Sequence, residues 1–388
     1  MNDMIKEKRN FKFSFLSLIF LIIILIPMVN DLFKLYSPGK LRENRKAAKK
    51  PELLKMDYKR YFKDFKNFYE DTFSFRPDLI FFNNYLRVKL FNVSPVDRVM
   101  IGKNGWLFIK KLKENNREID YSRSIEKFSS ADLALWGKVF KDRNRWLKDR
   151  GIRMFIVIVP NKSTIYSEYL PDNAKIMAKQ IRTDQLISYF RDHSEIRILD
   201  LRKEMLKAKK SKRLYYKTDS HWNWFGTYIG YSKIIKYLSG FYDNLQSMPF
   251  DFFVRKRVVF SEGGDLAAIL SLQHTLFKER FFKLFPGESV SIKRFRLKKF
   301  HRKSVISIVT ECKTGILPKT IMIHDSFGLR LRKMLSVHFS EIIYLRDWGF
   351  NFFPDLIVRE KPKIVIYEIA ERFLHNFSLK NPKEVSLE

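Results

Sequence analysis

Two stretches of this chain hold the residue types that acyl chemistry needs. One is Lys319–Gly328, K-T-I-M-I-H-D-S-F-G, where the strand-forming residues Thr320 to Ile323 run straight into His324, Asp325 and Ser326. The other lies upstream, Tyr216–Gly226, Y-K-T-D-S-H-W-N-W-F-G. A serine hydroxyl is a poor nucleophile at neutral pH; it needs a base beside it, and the base needs an orienting partner. Imidazole suits, with an unperturbed pKa near 6.5. A carboxylate on its far nitrogen fixes the tautomer and stabilises the imidazolium. Asp219 and His221 share one short loop. Ser326 sits at a strand-to-helix turn, where a hydroxyl and its backbone N–H face the mouth of a parallel sheet. The expectation is that Ser326, His221 and Asp219 meet there as nucleophile, base and orienting carboxylate. The plainer alternatives are a helix-capping serine and a surface histidine.

Further candidates surround these three. Asn161 and Lys162 follow a strand in V-P-N-K, residues 159–162. Lys162 is expected to face the site and bind an anionic or carbonyl group, against the plainer reading of a solvated lysine. Trp222 and Trp224 are expected to wall the site and exclude water, and Asn223 to cap the following helix. Arg346, Asp347 and Trp348 end a later strand and are candidates for substrate contact. The backbone N–H of Ser326 would be one oxyanion donor; Asn161, Asn351 and Gly264 are candidates for a second, and the sequence does not choose among them. A metal set of Asp219, His221, His324 and Asp325 has suitable donor types. No H-E-x-x-H motif is present and two distant loops would have to assemble it, so no metal is expected.

The elements that must position these residues can be read from periodicity. Leu53 to Val93 carries aromatic residues at helical spacing, which predicts two amphipathic helices broken near Phe75–Pro77, with the aromatic stripe as core. Ile101 to Ile109 predicts a hairpin with Asn104-Gly105 as a type I′ turn. Helices are predicted over Ser124–Arg150, stopped by Gly151, over Ala174–Asp192, and from the Asp219–Gly226 stretch to about Leu238. Strands are predicted at residues 152–159, 196–201, 304–309, 320–323, 342–345 and 363–369. Strands with long apolar runs alternating with helices are the signature of a largely parallel sheet.

The chain has 388 residues, 45% hydrophobic, enough for two or three domain-sized units. Its formal net charge is +33, with the basic residues spread along the whole length. Such a charge suits acidic polymers, anionic head groups or simply a solvated surface. No zinc-finger, RRM or KH pattern accompanies it, so nucleic acid is not expected as a partner. The single cysteine, Cys312, excludes an intramolecular disulfide. Phe13 to Val29 is uncharged and strongly apolar, close to the lower limit for spanning a bilayer. No small-x-small cleavage site follows it. It predicts an uncleaved signal anchor at 13–29, after a cytoplasmic N-terminus at 1–12 and before a juxtamembrane linker at 30–52. Lysine and arginine flank it on both sides, and a large C-terminal region is expected to lie outside the cytoplasm.

Several short motifs occur in one order: Glu43-Asn44-Arg45 with Pro51, Phe73-Ser74-Phe75-Arg76, Gly102 to Phe108, Val159-Pro160-Asn161-Lys162, Thr218-Asp219-Ser220-His221-Trp222, Gly263-Gly264-Asp265-Leu266, Asp325-Ser326-Phe327 and Glu371-Arg372. Together they resemble the alginate O-acetyltransferase family, the membrane-anchored, SGNH-hydrolase-like enzymes that modify extracytoplasmic polysaccharides. The resemblance implies a three-layer α/β/α domain with a central, mostly parallel sheet over residues 53–375, preceded by one transmembrane helix and followed by a tail at 376–388. It implies Asp219, His221 and Ser326 as the triad, permuted relative to ordinary SGNH esterases. It implies acetyl transfer through an acetyl-serine to a polysaccharide hydroxyl, no soluble cofactor, and a multi-spanning membrane acyltransferase as acetyl donor. The expected place is the cell (inner) membrane, single-pass, with the catalytic domain on the extracytoplasmic, periplasmic side. His324 stands where the family pattern has glycine and is expected to narrow the pocket or alter the turn. The alternatives are a carbohydrate acetylesterase with the same triad and a non-catalytic polysaccharide-binding scaffold.

Overall fold

A computed structural model of the chain describes residues 2–37, 47–52, 57–111, 127–174, 180–253, 258–283, 291–297, 305–374 and 380–385. The Glu43-Asn44-Arg45 motif, much of the expected linker, residues 124–126 and 175–179 of two expected helices, much of the basic aromatic run from Phe281 to Phe300 and most of the tail lie outside these. The chain divides into two compact units, residues 1–96 with 268–276, and residues 97–267 with 277–388. The stretch expected as one domain from residue 53 is thus divided, with 53–96 grouped with the N-terminal helix.

The smaller unit holds α1 (Asn2–Phe33), α2 (Tyr58–Thr72) and α3 (Arg76–Phe91). The apolar stretch of α1, Phe15–Phe33, spans 19 residues at mean hydropathy 2.4, long and apolar enough to cross a membrane. It runs four residues beyond the predicted end of the span. The break between α2 and α3 falls at Phe73–Phe75, as predicted, with Pro77 in the first turn of α3 where its missing N–H costs nothing. The aromatic stripe is not core: α2 has no buried residue, and α3 buries only Asn84 and Val88.

The larger unit opens with a hairpin, β1 (Val99–Ile101) against β2 (Leu107–Ile109). Asn104 and Gly105 both have positive φ in its turn, and the Trp106 N–H closes that turn on the Lys103 carbonyl at 3.1 Å, the predicted type I′ geometry. Then follow α4 (Ser130–Lys148), β3 (Arg153–Val159), α5 (Arg182–His193), β4 (Ile198–Asp200), α6 (Arg202–Ala208) and α7 (Trp224–Leu238). Next come β5 (Val258–Glu262), β6 (Glu279–Lys283), β7 (Ile292–Phe295), β8 (Ile306–Cys312), β9 (Thr320–His324) and α8 (Gly328–Leu335). The unit closes with β10 (Glu341–Arg346), α9 (Pro354–Glu360) and β11 (Ile364–Ala370). Helix α4 starts later than its periodicity suggested because Ser129 and Asp132 form a reciprocal capping box that sets the first turn.

Seven strands form one sheet in the order β4-β3-β11-β9-β10-β8-β7. The first five run parallel; β8 and β7 are antiparallel at one edge. Both faces are covered, so the central strands are apolar on both sides. On one face Val157, Met322, Tyr344 and Ile366 pack under α6, α7 and α8 through Met205, Ile234, Ile235, Leu331 and Met334. On the other, Ile158, Ile323, Leu345 and Tyr367 pack under α4, α5 and α9 through Trp136, Phe140, Phe190 and Leu356. The result is the expected three-layer α/β/α arrangement. The carboxyl ends of β3, β11, β9 and β10 line up along one edge, where crevices form in such sheets.

Candidate active site

Ser326 lies two residues past β9 and two before α8, and is half-buried. Its turn is held by the buried Asp325, whose carboxylate accepts the N–H of Phe327 and, from the end of β11, that of Ala370, both at 2.7 Å. Gly328 is required for contact: a Cβ there would stand 2.5 Å from the His324 ring. His324 is fully buried beneath this turn and donates from Nδ1 to the Asp325 carbonyl at 2.6 Å. Burial pushes its pKa down to about 3, so the ring is neutral. It therefore fills the base of the turn and does not narrow the mouth of the site.

The facing loop, residues 216–222, is fixed by side chains from distant elements. Lys162 is buried, and its ammonium donates to the carbonyls of Tyr216, Lys217 and Asp219 at 3.0, 3.0 and 2.9 Å. Glu279 accepts the N–H groups of Lys217 and Thr218 and the Thr218 hydroxyl. Asp265 accepts the N–H and hydroxyl of Ser220, each at 2.6 Å. Arg372 donates to the Ser220 carbonyl at 3.0 Å and lies over the Phe327 ring. Gly264 lets its backbone close on this loop, since a Cβ there would be 2.4 Å from that of Asp219. Asn223 caps α7 by accepting the Gly226 N–H, as its position suggested.

These supports bring the two stretches together. The Ser326 hydroxyl donates to His221 Nε2 at 2.8 Å, and His221 Nδ1 donates to Asp219 Oδ1 at 2.8 Å. Asp219 also accepts the His221 backbone N–H at 2.8 Å. Burial would raise the Asp219 carboxyl, but the His221 charge and hydrogen bonds, with Arg330 nearby, prevail and hold it below the usual carboxylate range. A proton can thus pass from Ser326 to His221, and the resulting imidazolium faces a carboxylate.

Other predicted site residues fall elsewhere. Lys162 does not face a substrate, because its three N–H donors hold loop carbonyls. Trp222 is fully buried and donates from Nε1 to the Phe327 carbonyl at 3.3 Å, so it supports the site from beneath and walls nothing. Asn351 folds onto Asp347, its backbone N–H and side-chain amide both donating to Asp347 Oδ2, which leaves it bracing its own loop. The Gly264 N–H is bound to the Thr218 hydroxyl and is no oxyanion donor. Arg346 pairs in the sheet with His324, and its guanidinium lies over the Trp348 ring at 4.7 Å. Asn161, the third oxyanion candidate, differs from Asn351 and Gly264 in its hydrogen bonding. It is fully buried, its Oδ1 accepts the Arg372 N–H, and its Nδ2 has no hydrogen-bond partner among the described residues.

Among the described residues Asp219, His221, His324 and Asp325 form no common donor cluster; the Asp325 carboxylate is engaged by two N–H groups and His324 is buried. A different trio, Asp219, His221 and Asp265, brings its donor atoms within 4.8 Å of one another. Hydrogen bonds to each other and to Ser220 account for that closeness. Asp265, Glu279 and Glu371 stand outside the residues expected at the site, yet each binds its scaffold. Glu371 is buried beside Asn161, whose N–H it accepts at 2.8 Å, and burial raises its pKa to about 7 against the pull of Arg202. A carboxylate in a loop carries no sequence signal for such a tether.

Comparison with known proteins agrees with this architecture. Residues 99–280 match the family model described as an SGNH hydrolase-like domain, acetyltransferase AlgX. That segment includes Asp219 and His221 and stops short of Ser326. No curated protein matches the chain. Among solved structures, Bacillus cereus PatB1 is 14% identical with a TM-score of 0.51, over 74% of this chain and all of that one. The same protein with a sulfonyl adduct is 15% identical, TM-score 0.50, at the same coverage. The O-acetyltransferase domain of Pseudomonas putida AlgJ is 17% identical, TM-score 0.46, over 75% of this chain and 95% of that one. At such identities the PatB1 likeness is one of fold. Over residues 99–280 the chain is thus similar to the SGNH hydrolase-like domain of the acetyltransferase AlgX, and over most of its length its fold is like that of PatB1.

Proposed function

We propose that this protein is an O-acetyltransferase that carries acetyl on Ser326 and passes it to a hydroxyl of an extracytoplasmic polysaccharide. The observation that carries the reading is the unbroken Ser326–His221–Asp219 relay, with both contacts at 2.8 Å. The family match supports acetyl as the group moved.

In the first half-reaction the Ser326 oxygen attacks the acetyl carbonyl of the donor while His221 Nε2 takes its proton. The oxyanion is stabilised by the Ser326 N–H and by Asn161 Nδ2, whose lack of a partner among the described residues supports this role. The donor leaves with the proton from His221. In the second half-reaction a sugar hydroxyl gives its proton to His221 and attacks the acetyl-serine, restoring the free serine. Arg330, in the first turn of α8, lies over the Tyr216 ring at 5.3 Å and within electrostatic reach of Asp219. A cation on an aromatic face beside the site suits an acidic sugar acceptor. A multi-spanning membrane acyltransferase supplies the acetyl group, and α1 anchors the chain beside it at the cell membrane, with the site outside the cytoplasm.

Incubation with an activated acetyl ester should place acetyl on the Ser326 peptide, read by mass spectrometry, and Ser326→Ala should remain unlabelled. Equal labelling of both proteins overturns the reading. Loss of acetyl at one rate with and without an oligosaccharide acceptor would make the protein an esterase.

A further inference from the structure

We propose that the α2–α3 hairpin is a membrane-surface element that lies among anionic lipid head groups with its aromatic face inward. The proposal is independent of the acetyl chemistry. In α2 the residues Tyr58, Tyr61, Phe62, Phe65, Phe68 and Tyr69 all fall within one sector of about 120° at roughly 100° per residue. The outer part of that sector is uncovered, with Tyr58 64% and Phe62 67% exposed. Helix α3 continues the pattern, with Phe82 58% and Leu90 66% exposed, followed by Phe91 and Val93. A soluble surface rarely shows a contiguous apolar patch beyond roughly a few hundred Å² unless something covers it.

Two observations select lipid as the occupant. The first is continuity with α1, the helix long enough to span a bilayer. The chain just beyond α1 is tied to the hairpin within the same unit. Asn30 exchanges two hydrogen bonds with Tyr36, the Tyr36 ring stacks on Phe75 at 5.6 Å, and its hydroxyl donates to Asp78 at 3.2 Å. Ser74 donates to Asp31. The hairpin is therefore joined to the end of the span, where a head-group layer would be. The second is charge: Lys59, Lys63 and Lys66 border the uncovered edge of the aromatic sector of α2, with Glu70 paired to Lys66 at 3.8 Å, in a chain of formal net charge +33. An aromatic face bordered by lysine is the pattern of interfacial helices, which bury rings at the acyl boundary and pair cations with anionic head groups.

The test uses the full chain in vesicles of phosphatidylglycerol and phosphatidylethanolamine. Nitroxide labels are placed by Phe62→Cys or Phe82→Cys, with Asn67→Cys as a control on the polar side, each in a Cys312→Ala background with the fold checked by circular dichroism. Collisions with oxygen and with a water-soluble nickel chelate are compared by paramagnetic resonance. Labels at 62 and 82 should favour oxygen over nickel several-fold more than the label at 67. That preference should weaken when phosphatidylcholine replaces phosphatidylglycerol. Nickel access at 62 and 82 equal to that at 67 overturns the proposal. So does exclusion of both reagents, which would mean that a second copy or another protein covers the face. A preference that ignores lipid charge overturns the head-group pairing.

Discussion

The two loops that meet at Ser326 are held in opposite ways. The nucleophile turn is a local object: β9 enters, α8 leaves, and Asp325 and Gly328 close it within five residues, with one link to Ala370. The 216–222 loop has little regular structure of its own. Its peptide groups are satisfied by Lys162, Asp265, Glu279 and Arg372, which reach it from β3, from β11 and from the segment between α7 and β7. Buried backbone polar groups need partners. Where no ladder supplies them, charged side chains must, and each becomes a point at which the site can be unset from afar.

That contrast can be broken experimentally. The largest effect is expected inside the relay: Asp219→Asn should lower acetylation of Ser326 by roughly 10⁴-fold with the fold intact, because the imidazole loses its orienting anion. Retention of more than a tenth of the rate would show that the carboxylate does not orient the base. Next, Lys162→Met should lower the rate by about a hundredfold and cost about 3–5 kcal/mol in urea unfolding, since three loop carbonyls lose a charged donor. If stability falls and the rate does not, the loop holds its geometry without the tether. Asp265→Asn should be milder, about tenfold in rate, because the Ser220 N–H can still be accepted. A loss as large as that of Asp219→Asn would mean that Asp265 acts directly on His221, from which it stands 3.6 Å.

The nucleophile turn should respond to pH more than to distant substitutions. His324 has its folded pKa lowered to about 3 from 6.5 by burial. The unfolded chain then binds the proton more readily, so stability is full above about pH 6.5 and is lost as pH falls towards 3. At pH 4.5 the loss from this residue is about 2–3 kcal/mol. His324→Asn keeps a donor for the Asp325 carbonyl and removes the titration. Its urea midpoint should fall less between pH 7 and 4.5 than the parent's, with a change of less than about threefold in acetylation rate.

The parallel strands were legible because their apolar runs exceed what a one-sided sheet needs, and both faces proved to be covered. The Asn104-Gly105 turn was legible because few residue pairs accept two successive positive φ values. The aromatic stripe of α2 was misread as core because periodicity reports that a face is apolar and not what lies against it. Lys162 was misread for a related reason: a lysine after a strand has the same sequence whether it points to solvent or threads beneath a loop.

Short-range patterning was enough for the residue types at the site, the order Asp219, His221, Ser326, the strand-to-helix turn and the membrane-length apolar helix, because each depends on neighbours a few positions away. Long-range packing placed Trp222 and Lys162 beneath the site and His324 under the turn, and left Asn161 as the oxyanion candidate whose donor has no partner among the described residues. Those outcomes depend on which strand ends adjoin in a sheet ordered β3-β11-β9-β10, where residues some two hundred positions apart compete for the same hydrogen bonds.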